Sequence, residues 1–123
     1  MITFTKSMFK KVITMKTIDD LIKELTDFRD ARDWKQFHNS KDLALALSIE
    51  ASELLELFLW KGNEDCNKQR LEEELADVFM YGLLLAEKNN LNIADIISKK
   101  IARNNEKYPV DKAKGTAKKY NEL

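Results

Sequence analysis

Glycine and proline are scarce, at 3 and 1 in 123 residues. So few turn formers leave little material for hairpins or for the Gly-rich loops that cradle phosphates. Cysteine occurs once, at Cys66, which excludes both a disulfide framework and a cysteine zinc site within one chain. That fits a reducing compartment, and a cytoplasmic protein is the expectation. Charge of one sign is missing too, since 21 basic and 21 acidic residues sum to zero. No global field argues for a nucleic acid or a membrane as partner. No apolar run approaches the length of a membrane span. The opening "MITFTKSMFKKVITMK" is basic, and its apolar residues are scattered, unlike the continuous apolar core of a signal peptide. Residues 1–15 are expected to be a disordered tail, or sequence upstream of a working start at Met15, with a transit peptide as the alternative.

What the chain does contain is helix-forming sequence, 44% hydrophobic and 34% charged. Periodicity predicts four helices. The first covers about residues 17–31, with Thr17 as N-cap and Asp19 and Asp20 in its first turn. "RDWKQFHNS" then breaks the pattern with two aromatics and the single histidine, His38. The second helix runs from about Ser40, as N-cap, to Trp60, and "KGNED" is the turn after it. The third runs from about Cys66 to Lys88 and is ended by "NN"; the fourth runs from near Asn92 to Lys107 and is stopped by Pro109. Short loops and no strand signal predict an all-α fold, an antiparallel four-helix bundle-like protomer. One helical domain is expected over residues 16–110, followed by an irregular basic tail over 111–123. A chain this short buries more of its surface if it oligomerises.

The second helix contains "ALALSIEASELLELFLW", an apolar run interrupted by Glu50, Glu53 and Glu56. At about 100° per residue, Glu50 shares a face with Leu43, Leu54 and Leu57, and Glu53 sits about 60° away, still on the core-facing stripe. Glu56 lies further round. The third helix repeats the device: with Asp77 at zero, Leu84 and Tyr81 fall within about 40° and Glu74 at about 60°. Two acid pairs spaced i, i+3 therefore lie on two apolar faces. If those faces meet, four carboxylates converge and repel unless protons or cations neutralise them. Hard oxygen ligands without His or Cys suit Mg²⁺, with Mn²⁺ as a substitute. Acids paired with lysines at helix borders are the competing reading.

The fourth helix aligns Lys100, Asn104 and Lys107 within about 60°, beside its own apolar stripe. Such a row offers charges and amide donors to phosphate oxygens; alone, it reads more readily as a solvated face with snorkelling lysines, and the acidic site beside it is what favours phosphate. Trp34, Phe37, His38, Trp60 and Tyr81 are candidates for a base-stacking pocket, although each taken singly is ordinary core or surface material.

The residues together resemble a family. "EASE" and, some twenty residues on, "ELAD" are similar to the E-x-x-E…E-x-x-D metal signature of the MazG-like all-α nucleoside triphosphate pyrophosphohydrolases. "KIARNNEKYP" resembles their K-x-x-x-N-x-x-[KR]-Y-P segment. "FRDARDWKQFHNSKDLALALSIEASELLELFLWKGN" and the tail "KGTAKKYNEL" resemble the dCTP pyrophosphatase branch. The likeness covers roughly residues 18–123.

The resemblance implies Mg²⁺-dependent cleavage of a nucleoside triphosphate, dCTP or a modified dCTP, to monophosphate and pyrophosphate by water attack on the α-phosphorus. It implies a homodimer or homotetramer. Carried over by position, Glu50, Glu53, Glu74 and Asp77 would hold the metal, and Lys100, Asn104 and Lys107 would contact phosphates. Trp34, His38, Trp60 and Tyr81 would line the nucleoside pocket with help from a neighbouring subunit. Two positions depart from the pattern: Ile49 stands where many members have a further acid, and Leu25 where vertebrate members have a His near the base. The second bears on cytosine preference more than on the chemistry. The alternatives are a related enzyme acting on another nucleotide such as dUTP, and a helical module that binds nucleotides without cleaving them.

Overall fold

A computed structural model describes residues 15–123. The expected N-terminal tail, Met15 apart, lies outside them. The described chain is all-helical: α1 (Ile18–Ala31), a 3-10 turn (Lys35–Phe37), α2 (Ser40–Glu56), α3 (Lys68–Lys88), α4 (Ile93–Lys107), α5 (Val110–Ala113) and a last 3-10 turn (Tyr120–Glu122).

Side-chain caps set the helix starts. Thr17 and Asp20 form a reciprocal capping box at α1. Asn39, Asn67 and Asn92 each accept the amide three residues on, from Asp42, Arg70 and Asp95, at 2.8 to 3.0 Å. Two expected boundaries move for this reason. The cap of α2 is Asn39 rather than Ser40, whose hydroxyl instead meets Asn89. Likewise α3 begins at Lys68 rather than near Cys66, because Asn67 caps it.

The end of α2 also differs from expectation. The amides of Leu57, Phe58 and Leu59 bond three residues back, to Leu54, Leu55 and Glu56. The helix tightens into 3-10 turns and stops before Trp60, which takes the left-handed region at φ 63°. α3 closes on Asn89, with Asn90 left-handed at φ 56°, a conformation Asn tolerates at helix C-termini. The basic tail is more ordered than expected, since it forms α5 and the last 3-10 turn.

The chain divides into two compact units, one ending at Asn89 and one over Asn90–Leu123. In the first, α2 and α1 each pack on α3. α2 and α3 are antiparallel: Ser40 at the start of α2 meets Asn89 just past the end of α3. Among the described residues, Leu43, Leu57, Leu84 and Ala86 are the buried apolar ones, Leu43 being only 2% exposed. In the second unit the tail folds back. Tyr120 meets Tyr108 edge to face at 6.2 Å, and the Lys107 ammonium sits 4.8 Å above the Tyr120 ring.

With so small a buried set, Leu43 carries much of the α2–α3 seam. Leu43→Ala is expected to lower stability by about 2–4 kcal/mol, read as a shift of the urea midpoint followed by helical circular dichroism. A change below about 0.5 kcal/mol would mean that the seam is held elsewhere.

Candidate active site

The two acid pairs meet. Leu43 and Leu57 on α2 and Leu84 on α3 draw the apolar faces together, and the carboxylates on those faces come with them. Ligand-competent oxygens of Glu50, Glu74 and Asp77 all lie within 4.8 Å of one another. Glu53 abuts the carboxyls of both Glu50 and Glu74. One oxygen of Glu50 and one of Glu74 are buried without a hydrogen-bond partner. Among the described residues, the ion pairs all lie elsewhere: Lys16–Glu24, Lys23–Asp27, Arg29–Asp30 and Arg29–Glu87. The competing reading, acids satisfied by lysines at helix borders, is therefore not what the geometry shows.

Crowding shows in the protonation. Burial, then Glu53, Asp77 and Glu74, pushes the Glu50 carboxyl up to about 7. Burial, then Glu53 and Asp77, also raises Glu74. Acids that cannot all ionise together, with orphaned oxygens converging on one point and no nitrogen or sulfur donor, fit a hard divalent cation.

Beside the cluster lies a cavity of about 630 Å³, a size typical of ligand pockets. Leu21, Leu25 and Phe28 of α1 form one wall, and Ala76, Met80 and Leu83 of α3 another. Trp34, His38 and Tyr81 line it, and Asp77 belongs to both cavity and acid cluster. The Nδ1 atom of His38 is buried and has no hydrogen-bond partner, and Glu24 and Arg29 add charged groups to the mainly apolar lining. Phe28 and Trp34 pack edge to face at 5.7 Å, and the Arg32 guanidinium lies 3.8 Å above the Phe28 ring.

Three of the four expected pocket aromatics thus share one cavity. Trp60 does not line it and is 100% exposed. Leu25, the departure noted in the sequence, lies in the cavity wall. Glu56 and Ile49 are exposed. Lys100, Asn104 and Lys107 lie at i, i+4 and i+7 on α4 in the second unit, and share one side of that helix. The fold-back of Tyr120 over Lys107 left no signal in the periodicity.

An acid cluster between two packed helices, sharing Asp77 with a largely apolar cavity, is the feature that sets this all-α domain apart. The comparisons give it a lineage. A MazG-like family model matches residues 45–123. The chain is 36% identical over 115 residues to dCTP pyrophosphatase 1 of Mus musculus, spanning 87% of this chain and 68% of that protein. The human protein of the same name is 35% identical over the same length. A crystal structure of a pyrophosphatase from Archaeoglobus fulgidus superposes with a TM-score of 0.72 at 36% identity, covering 77% of this chain and 94% of that one. The chain belongs to the MazG-like family.

The raised Glu50 carboxyl gives a pH signature. An acid whose folded pKa lies above its unfolded value takes up a proton on folding, so its contribution to stability falls as pH rises between the two. For Glu50 that interval runs from 4.5 to about 7. In chelator, Glu50→Gln is expected to remove this loss, so that it melts a few degrees above wild type beyond the interval and no higher below it. Adding Mg²⁺ is expected to raise the wild-type melting temperature most at the alkaline end, where protons no longer compete. Scanning calorimetry across pH checks both; parallel wild-type and variant profiles would show that the carboxylates do not strain the fold.

Proposed function

We propose that this chain is a Mg²⁺-dependent nucleoside triphosphate pyrophosphohydrolase that cleaves dCTP or a modified dCTP to the monophosphate and pyrophosphate. The observation that carries the reading is the sharing of Asp77 between the cluster of Glu50, Glu74 and Asp77, with Glu53 beside it, and a largely apolar cavity. It sets a cation site against a nucleoside-sized space, as a triphosphate substrate requires. The family and the names of the relatives support the enzyme class, and cytosine comes from those names.

Glu50, Glu53, Glu74 and Asp77 would hold the divalent ion. When bound, it supplies charge neutralisation for the triphosphate and acidifies a water. The residues do the rest. The base enters between the α1 wall and Tyr81, with Trp34 offering a stacking face and His38 Nδ1 a hydrogen bond. Lys100, Asn104 and Lys107 are the residues that the family resemblance assigns to the phosphates, and the Lys107 ammonium lies over the Tyr120 ring. A carboxylate of the cluster accepts the proton of the attacking water as it reaches the α-phosphorus. Rate enhancement then comes from positioning and electrostatics, with no protein nucleophile. Cys66, free and apart from this machinery, has no part in it.

Trp60 and the exposed apolar side chains support an oligomer. Leu45, Ile49, Leu55 and Leu59 on or just after α2, and Phe79 on α3, are all more than two-fifths exposed, a pattern that marks protein interfaces. In a homodimer or homotetramer Trp60 would enter the cavity of a neighbouring copy.

An end-point assay with Mg²⁺ and a set of standard and modified nucleoside triphosphates, resolving monophosphate from diphosphate, tests the reading. Monophosphate and pyrophosphate are expected, with dCTP or a modified dCTP turned over fastest. Glu53→Gln and Asp77→Asn are each expected to lower turnover by about 100-fold or more, with helical content unchanged. Full activity in both variants would overturn the metal assignment. Tight nucleotide binding without product would make the chain a binding module.

A further inference from the structure

The cavity has one wall with little to hold it. Residues 30–39, which carry Trp34 and His38, contain no α-helical residue beyond Ala31 and bury little: Trp34 is 44% and Phe37 64% exposed. The segment is stiff within itself. Trp34 donates its amide to the Arg29 carbonyl at 3.1 Å, and Phe37 donates to Trp34 at 2.9 Å. The Gln36 amide reaches Asp33, which takes the left-handed region at φ 53°. Internal stiffness fixes a shape and leaves its placement open.

Placement comes from the two ends. On the entering side, Arg29 is 5% exposed. Its Nε donates to Asp30, the first residue of the segment, at 2.8 Å, and its Nη1 donates to Glu87 of α3 at 3.0 Å. On the leaving side, Asn89 Nδ2 donates to the Ser40 hydroxyl at 3.1 Å and to the Leu85 carbonyl at 2.9 Å. Both anchors therefore fall within the last turn of α3 and its cap, on the helix that also carries Asp77 and Tyr81. A buried guanidinium is tolerated only while its partners are in place, so the first anchor is satisfied in one arrangement of α1 against α3.

We propose that Arg29–Glu87 and Ser40–Asn89 are positioning pairs that pin the Trp34–His38 segment to α3 at both ends, and so set the distance across the nucleoside cavity. Arg29 also lines the cavity, whereas Glu87, Ser40 and Asn89 do not, so Glu87→Gln and Asn89→Ala are the variants that separate positioning from contact. The effect of the pairs on the reaction passes through Trp34 and His38, and the proposal rests on the reading of that cavity as the nucleoside pocket.

Steady-state kinetics of the full chain with dCTP, comparing wild type with Glu87→Gln, Asn89→Ala and Arg29→Lys, tests it. In Glu87→Gln, KM for dCTP is expected to rise roughly tenfold with kcat within about twofold, the signature of lost binding common to ground and transition states. Asn89→Ala is expected to shift KM in the same direction by a smaller factor, and Arg29→Lys to fall between wild type and Glu87→Gln. Half-saturating Mg²⁺ is expected to stay where it is, since the acid cluster keeps its ligands. Melting temperatures that fall while KM stays constant would overturn the proposal, as would a loss confined to kcat. If Glu87→Gln does not fold, Asn89→Ala, at an exposed residue, decides alone. Absence of wild-type turnover on every nucleotide would remove the site reading and the proposal with it. Normal wild-type turnover with unmoved KM would remove the proposal only.

Discussion

Repulsion among carboxylates in the seam between α2 and α3 is the constraint to which the rest of the first unit answers. Packing the apolar faces of the two helices brings Glu50, Glu53, Glu74 and Asp77 together whether or not anything neutralises them. Apolar burial at Leu43, Leu57, Leu84 and Ala86 must therefore offset a local electrostatic cost. The cost is visible in Glu50, driven toward neutrality by burial and by its three acidic neighbours. A fold whose only task was stability would replace such a cluster with hydrophobic residues at no loss. Its retention at the mouth of a cavity is intelligible when a cation turns the repulsion into binding energy.

The same physics explains why the site needs no strained backbone and no activated nucleophile. A polyanionic substrate carries its own affinity for a cation held among acids. What the protein must add is direction: an apolar chamber for the uncharged end and donors for the charged end. The chamber is supplied by α1, α3 and the Trp34–His38 segment, and Asp77 and Tyr81, four residues apart on α3, join it to the cluster. One turn of one helix thus joins the acid cluster to the cavity, and on the proposed function it would span phosphate chemistry and base recognition.

The acid pairs were legible because two simple rules agreed, i, i+3 spacing and placement on an apolar face. The facing of α2 and α3 followed from the same apolar stripes. Helix existence was likewise plain from periodicity, and residue type marked the cap Thr17, the start of the fourth helix near Asn92 and the stop at Asn89–Asn90. What could not be read were choices between equivalent local partners. Asn39 and Ser40 are both competent caps, and the decision falls to Asn89, forty-nine residues away. The early end of α2 is set by a tightening of its last turn that no residue type announces. The Tyr120 fold-back and the Arg29–Glu87 pair are long-range for the same reason: their partners are specified by the fold and not by spacing. Trp60 illustrates a further limit, since its resemblance-based role concerned a pocket that this chain alone does not let it reach.

α3 emerges as the reference axis. Along its 21 residues it carries, in order, two acids of the cluster, the apolar wall of the cavity with Tyr81, and the anchor at Glu87, with Asn89 as its cap. A helix is well suited to this, because its geometry holds groups a fixed 1.5 Å per residue apart with no hinge between them. Elements that must be placed relative to one another are best tied to one rigid body, and the two weakest-held parts of the site are tied to this one. The seam therefore has a polar end, at Glu87 and Asn89, and an acidic end, at Glu74 and Asp77. Between the two ends lie apolar turns, where Leu84 and Ala86 are buried.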